Sequence, residues 1–115
     1  MLTVGEYIKV HGHEPVVPTP RLLWYWWNRI NDELFSGSAT VDKISIVPLD
    51  WMADCDGEDL RVSSTWVFTR ALLLSTLAHE MIHVIQWHRS RPLDHGKFFQ
   101  IQATRLQKAL GVAVR

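Results

Sequence analysis

From Thr69 to His88 the chain contains neither glycine nor proline, and this stretch constrains the fold more than any other. It reads as one long helix. Leu72, Leu73, Thr76, Leu77, Ile82, Val84 and Ile85 cover more of its circumference than a single amphipathic stripe needs. Such a helix is enclosed on most sides, so the rest of the chain has to wrap around it. His79, Glu80 and His83 sit in its middle, and polar groups buried inside a domain need partners.

A spacing of four residues turns a helix by about 400°, so the His79 and His83 imidazoles leave the same face one turn apart. Two neutral imidazoles held that way can each take a corner of a tetrahedral Zn²⁺ site. Glu80 follows the first of them and is placed to take a proton from a metal-activated water. The bland alternative is a helix that happens to carry two histidines and a solvated glutamate. The pattern is better explained as the working half of a zinc-dependent peptidase.

The third ligand is narrowed by elimination. No glutamate follows Glu80, which excludes peptidases that use a downstream glutamate. The long motif with glycine third and histidine sixth after the second histidine also fails, because Gln86 and Arg89 stand there. His88 lies roughly 180° around the helix from His79 and points away. Asp94 and His95 remain, after a turn at Ser90-Arg91-Pro92 that ends the helix. Asp94 is typed as the N-cap of the next helix, with His95 in its first turn. His95 is preferred as ligand because imidazole is the commoner zinc donor, and Asp94 is the alternative. Gln86, one turn beyond His83, is read as a packing or surface residue rather than one touching substrate or the outer side of a ligand.

At 115 residues with 47% hydrophobic content, the chain is expected to form one domain over 1–115 with a modest core. The lone Cys55 excludes an internal disulfide and a cysteine-rich zinc ribbon within these residues. Met1 to Glu6 lacks the basic and apolar regions of a secretion signal, and no apolar run is long enough for a bilayer. A soluble, cytoplasmic protein with no membrane partner is expected. Net charge is zero, so bulk electrostatics favour no particular partner. The charges are unevenly placed, however. Asp50, Asp54, Asp56, Glu58 and Asp59 crowd one segment, without the ligand pattern of a calcium loop. Arg89, Arg91, Lys97, Arg105, Lys108 and Arg115 make the C-terminal stretch basic. Two solvated surfaces are the plain reading; a basic rim with weak affinity for DNA is the sharper one.

Elsewhere the chain alternates clear starts and stops. Thr3 and Glu6 fit a capping box for a short first helix, and His11-Gly12-His13-Glu14-Pro15 reads as a loop whose histidines are not ligands. Thr19-Pro20 starts a helix running to about Phe35, with Leu22, Trp26, Ile30 and Leu34 on one face, widened by Leu23 and Trp27. The Trp24-Tyr25-Trp26-Trp27 cluster is assigned to packing. Val41 to Val47 alternates as a strand ended by Pro48, and Leu60 to Phe68 suits a second strand. A last helix over Asp94 to Leu110 turns Phe98, Phe99, Ala103, Leu106 and Leu110 inward, with Gly111 as its cap.

The order of these pieces is suggestive: Asn31-Asp32-Glu33-Leu34-Phe35-Ser36-Gly37, a strand region, Leu77-Ala78-His79-Glu80-Met81-Ile82-His83-Val84, then Asp94-His95-Gly96-Lys97-Phe98-Phe99. From about Pro20 to Leu110 the chain resembles the SprT-like metallopeptidase domain. The resemblance implies an α+β fold, a minimal zincin-like domain with three to four helices on a small β-sheet and the active-site helix at about 69–88. It implies one Zn²⁺ held by His79, His83 and His95, Glu80 as general base, and a substrate strand lying along the sheet. Some members, including the Spartan group, cleave proteins crosslinked to DNA. A protein or peptide substrate is therefore expected. Tyr7, Tyr25, His88 and Arg91 are candidate donors to the oxyanion of such a reaction. The rival reading is a non-catalytic, zinc-stabilised nucleic-acid- or protein-binding module, which a closed four-ligand site including Asp94 would favour.

Overall fold

The structure is a computed structural model describing all residues, Met1–Arg115. In chain order its elements are α1 (Val4–His11), β1 (Pro15–Val16), α2 (Pro20–Leu34), β2 (Lys43–Val47), β3 (Ala53–Cys55), β4 (Asp59–Ser63), β5 (Phe68–Thr69), α3 (Arg70–His88) and α4 (Lys97–Leu110). The α+β class is as expected, with four helices around small sheets.

The long helix α3 forms the axis, capped by the Thr69 hydroxyl, which accepts from the Leu72 amide. It packs against α1, α2, α4, β3 and β5. Leu73, Leu74, Leu77, Ala78, Met81, Ile82, Val84 and Ile85 are all buried over about half of the circumference, and Thr76, Glu80 and Gln86 are buried on the other half. Each large apolar side chain buried this way contributes about 1.5–3 kcal/mol. The stability of α3 therefore comes from its neighbours rather than from its own propensity. No helix is long and apolar enough to cross a membrane.

Both N-terminal helices begin where their caps predict. Thr3 and Glu6 form the reciprocal capping box of α1, which extends through His11, so that histidine is helical rather than in the loop. Thr19 caps α2 with Pro20 in its first turn. The buried face of α2 is Leu23, Trp26, Trp27, Ile30 and Asn31, rotated from the predicted stripe, with Leu22 and Leu34 at its margins. Asn31 explains the helix end. Its side-chain oxygen accepts from the Ala39 amide at 2.8 Å, while its backbone carbonyl takes the amides of Phe35 and Gly37. Trp27 donates its indole N–H to the Ala39 carbonyl at 2.8 Å. The turn after α2 is thus fastened to α2 by two buried side chains. Arg105 of α4 reinforces it, donating to the Leu34 carbonyl and stacking over Phe35.

The expected second strand, Leu60 to Phe68, is two strands in two sheets. β4 ends at Ser63, whose hydroxyl donates to the Leu49 carbonyl at 3.0 Å and accepts the Thr65 and Trp66 amides, turning the chain. β5 then pairs antiparallel with β1. The larger sheet has the order β2-β4-β3, with β2 and β4 parallel and β3 and β4 antiparallel. β4 therefore inserts between the two strands that precede it, and β3 is left at an edge. The acidic segment is the β3–β4 hairpin: Asp56 accepts the Glu58 and Asp59 amides, and Asp54 pairs across the strands with Arg61. Gly57 closes the hairpin with φ +100°, a conformation suited to glycine, and the Trp87 ring occupies the space a side chain would need.

The last helix starts later than predicted. Gly96, not Asp94, is the N-cap of α4. The Asp94 carboxylate accepts from the Gly96 amide at 3.1 Å, a local turn just before the helix. His95 consequently precedes α4 instead of lying in its first turn. Phe99, Ala103, Leu106 and Leu110 are buried as expected, and Gly111 ends the helix in the left-handed conformation.

Candidate metal centre

His79 and His83 project from α3, and His95 comes from the connection between α3 and α4. That connection turns back sharply: Ser90 has φ +53°, and the Arg91 amide donates to the Gln86 carbonyl at 2.8 Å. Two glutamines then fix its far end. Gln86 of α3 donates to the Asp94 carbonyl at 2.9 Å, and Gln100 of α4 donates to the His95 carbonyl at 3.1 Å. His95 is held from both helices.

The three rings converge. One coordinating nitrogen from each lies within 4.8 Å of the others, and His83 Nε2 is 3.2 Å from His95 Nε2. Two nitrogens on a tetrahedral ion with ~2.0–2.1 Å bonds stand about 3.3 Å apart, so this pair already has the required spacing. Phe99 backs all three rings, with centroid distances of 4.9 Å to His79, 5.2 Å to His83 and 4.4 Å to His95. His88 points elsewhere, to the Thr40 carbonyl at 3.0 Å.

The protonation states suit a cation. Burial, followed by the neighbouring His83 and His95, pushes His79 down to about 4. Burial likewise lowers His83, against an opposing hydrogen bond from Gln86. Both rings are therefore neutral near pH 7, as metal ligands must be. The tautomer of His83 follows from its partners. Gln86 spends its amide N–H on Asp94, so its oxygen faces His83 Nδ1 at 2.7 Å and must accept from it. The proton is thus on Nδ1, and the Nε2 lone pair is left facing His95.

Gln86 is 1% exposed, and it does more than the packing or surface role read from the sequence. It is a positioning residue for two ligands at once. Gln86→Leu should weaken metal binding by about 10- to 100-fold in a competitive titration with a metallochromic chelator. Gln86→Glu, which can still accept from His83, should recover part of that loss; equal affinities in all three proteins would exclude the positioning role.

Glu80 is 5% exposed and makes no hydrogen bond; its Oε1 lies 3.9 Å from His79 Nε2. Burial, with a smaller contribution from Asp54, pushes its carboxyl up to about 8. A buried acid without a partner is costly unless something positive arrives beside it. The carboxyl borders two cavities that flank the edge strand β3. One, about 450 Å³, is also lined by Met52, Leu72, Thr76 and His79. The other, about 170 Å³, is lined by Ala53, Asp54, Cys55, His83 and Leu93. The most voluminous cavity, about 600 Å³ between α1 and the end of α4, touches none of these groups.

Three imidazoles in this array can hold a metal ion. Asp94 is not among the converging donors, and Cys55 is a half-buried thiol pushed up to about 12 by desolvation. None of Tyr7, Tyr25, His88 and Arg91 lines either cavity beside Glu80. Tyr7 instead accepts from Arg70, Tyr25 accepts from Arg29, and Arg91 stacks on Phe98. Sequence reasoning missed Gln86, Gln100 and the edge strand. The three-residue offset between His83 and Gln86 was the available clue to the first.

The model of the SprT-like family matches residues 12–115, nearly the whole chain. No curated protein matches the chain.

Proposed function

Because the chain belongs to the SprT-like family, we propose that it is a zinc-dependent metallopeptidase in which His79, His83 and His95 hold the ion and Glu80 is the general base. The observation that carries this reading is the unpaired, buried Glu80 carboxyl set beside three converging imidazoles at the meeting of two cavities. When bound, Zn²⁺ would supply a Lewis acid for the peptide carbonyl and a water acidified toward pKa ~7, at a coordination position the three histidines leave open.

The protein's own residues do the rest. Gln86 keeps His83 in the ligating tautomer, and Phe99 and Gln100 keep His95 in place. Glu80 takes a proton from the attacking water and passes it to the leaving amine, so no proton has to be fetched from bulk solvent. β3 is a free sheet edge beside Glu80, and an extended substrate would pair with it as an added strand. Pairing through the backbone favours unstructured segments, because folded chains have already used those groups.

DNA-associated proteins are the substrates this reading favours. Arg89, Lys97, Lys108 and Arg115 are exposed on the basic stretch and would give weak, salt-sensitive attraction to DNA. The rival, a closed structural zinc site, needs a fourth protein ligand. Its candidate, Asp94, is engaged with the Gly96 amide.

The test is metal analysis of the purified protein combined with cleavage of an unstructured protein, with and without single-stranded DNA. One equivalent of zinc, cleavage, and faster cleavage with DNA at low salt are expected. Zinc with no cleavage under any condition, together with salt-sensitive DNA binding, would transfer the protein to the rival class.

A further inference from the structure

The cavity of about 450 Å³ on the His79 side of the centre has walls that discriminate. Trp51, Met52, Leu72, Ser75 and Thr76 line it together with the metal-centre residues and the exposed Arg115. The polar side-chain hydrogens of Trp51, Ser75 and Thr76 are already committed. The Trp51 indole N–H donates to Asp54 at 2.9 Å, Ser75 donates to the Leu72 carbonyl at 3.0 Å, and Thr76 donates to the same carbonyl at 2.7 Å. A polar substrate side chain entering here would give up water and find no free donor on Trp51, Ser75 or Thr76, leaving the exposed Arg115 as its partner. An apolar one would lose nothing and gain burial.

Trp51 adds a second observation. It is 50% exposed, unusual for so large an apolar side chain, yet it is not loose. Its partner Asp54 is gripped by the Arg61 guanidinium across the β3–β4 pair, so the indole is set by a chain of two fixed contacts. A half-exposed aromatic ring held in one orientation at the mouth of a cavity is a pre-formed wall for a ligand. Met52, at the cavity's edge, contributes an adaptable thioether contacting the Thr76 hydroxyl at 3.7 Å.

We propose that this cavity is the specificity pocket of the proposed peptidase, taking the bulky apolar or aromatic side chain of the substrate residue next to the scissile bond, with Trp51 and Leu72 as its selecting walls. The proposal rests on the peptidase reading for the word substrate. The pocket itself can be measured without turnover. Substrates would then be unstructured chains cut beside Phe, Leu or Met, with Gly disfavoured at that position.

The test uses the zinc-loaded protein and a pair of hydroxamate-capped dipeptides that differ only in the side chain next to the zinc-binding group, benzyl against hydrogen. Calorimetry should show the benzyl compound binding about 10- to 100-fold more tightly, the gain expected from burying one large apolar side chain. Trp51→Ala should shrink that ratio, and Ser75→Leu, which fills the cavity from a half-buried position, should remove it. Thermal melts of both variants establish that they are folded. In parallel, matched unstructured peptides with Phe or Gly at the variable position should show the same ratio in kcat/KM. Equal binding of the two hydroxamates overturns the pocket even if peptides are cleaved. A preserved benzyl preference with no cleavage of any peptide keeps the pocket and removes the peptidase reading.

Discussion

Glu80→Gln is expected to bind zinc as tightly as the parent protein and to hydrolyse peptides about 10²- to 10⁴-fold more slowly, the range ordinarily lost with a general acid–base group. The substitution is close to isosteric, and Glu80 has no hydrogen-bond partner whose loss could disturb the fold. Removal of the proton acceptor is then the only change the reaction meets. Stopped assays on an unstructured protein, with zinc measured in the same samples, give the answer; retained turnover would take the general-base role from Glu80. The same variant has a second signature in the metal-free protein. The folded state holds the Glu80 proton up to about pH 8, whereas an unfolded glutamate releases it near 4.5. Between those values Glu80 keeps a proton in the folded form that it has released in the unfolded form, so its contribution to the stability of the metal-free parent falls as pH rises. Glu80→Gln lacks that loss. Its metal-free melting temperature should exceed the parent's at pH 8, with an advantage of a few kcal/mol at most, and the two should converge near pH 4.

What could be read in the sequence followed the range over which each feature is determined. His79, Glu80 and His83 lie within two turns of one helix, so their common face follows from helical geometry alone. The caps at Thr3 and Thr19 are equally local. His95 was reachable only by elimination among the residues beyond the Pro92 turn, and its exact setting was not. Whether Asp94 or Gly96 caps α4 depends on how the connection is pulled back by Gln86 and Gln100, contacts that span the two helices. Gln86 looked like a packing or surface residue because its role exists only once residues 89–96 fold over it. The sheet was least legible. β3 is three residues long and carries Asp54, so neither length nor alternation marks it, and it is a strand because Arg61 and Leu60 of β4 lie opposite. Leu60 to Phe68 looked continuous because its composition is uniform. The break at Ser63 comes from a hydroxyl bonded to Leu49, far back in the chain. Local chemistry was visible, and pairing over distance was not.

Stripping the metal is expected to abolish hydrolysis completely and reversibly while leaving the fold in place. The hydrophobic core is one cluster of 25 buried residues drawn from every helix and both sheets, and none of the three histidines belongs to it. The rings are also held without an ion: His83 by Gln86, the His95 backbone by Gln100, and all three by contact with Phe99. A structural zinc site behaves differently, because there the ion replaces a core and its loss unfolds the chain. Treatment with a chelator should therefore leave the far-ultraviolet circular dichroism unchanged and lower the melting temperature only by the binding linkage, about 4 kcal/mol with free zinc at 1,000 times its Kd. Added zinc should restore activity without refolding. His95→Ala should reproduce the metal-free state at modest zinc concentrations, because the ring it removes is exposed and outside the core. Acid should expose the cost of the vacated site. His79 titrates near 4 in the folded chain and near 6.5 in the unfolded one, so the unfolded form takes up the proton first. The contribution of His79 to metal-free stability should then fall as pH drops from about 6.5 toward 4, opposite in sign to that of Glu80. It is therefore measured in the Glu80→Gln background, where His79→Gln should reduce the slope and leave the part due to His83. A chelated protein that lost its helical signal at neutral pH would make the ion part of the scaffold, and the case for an open, reactive centre would lose its footing.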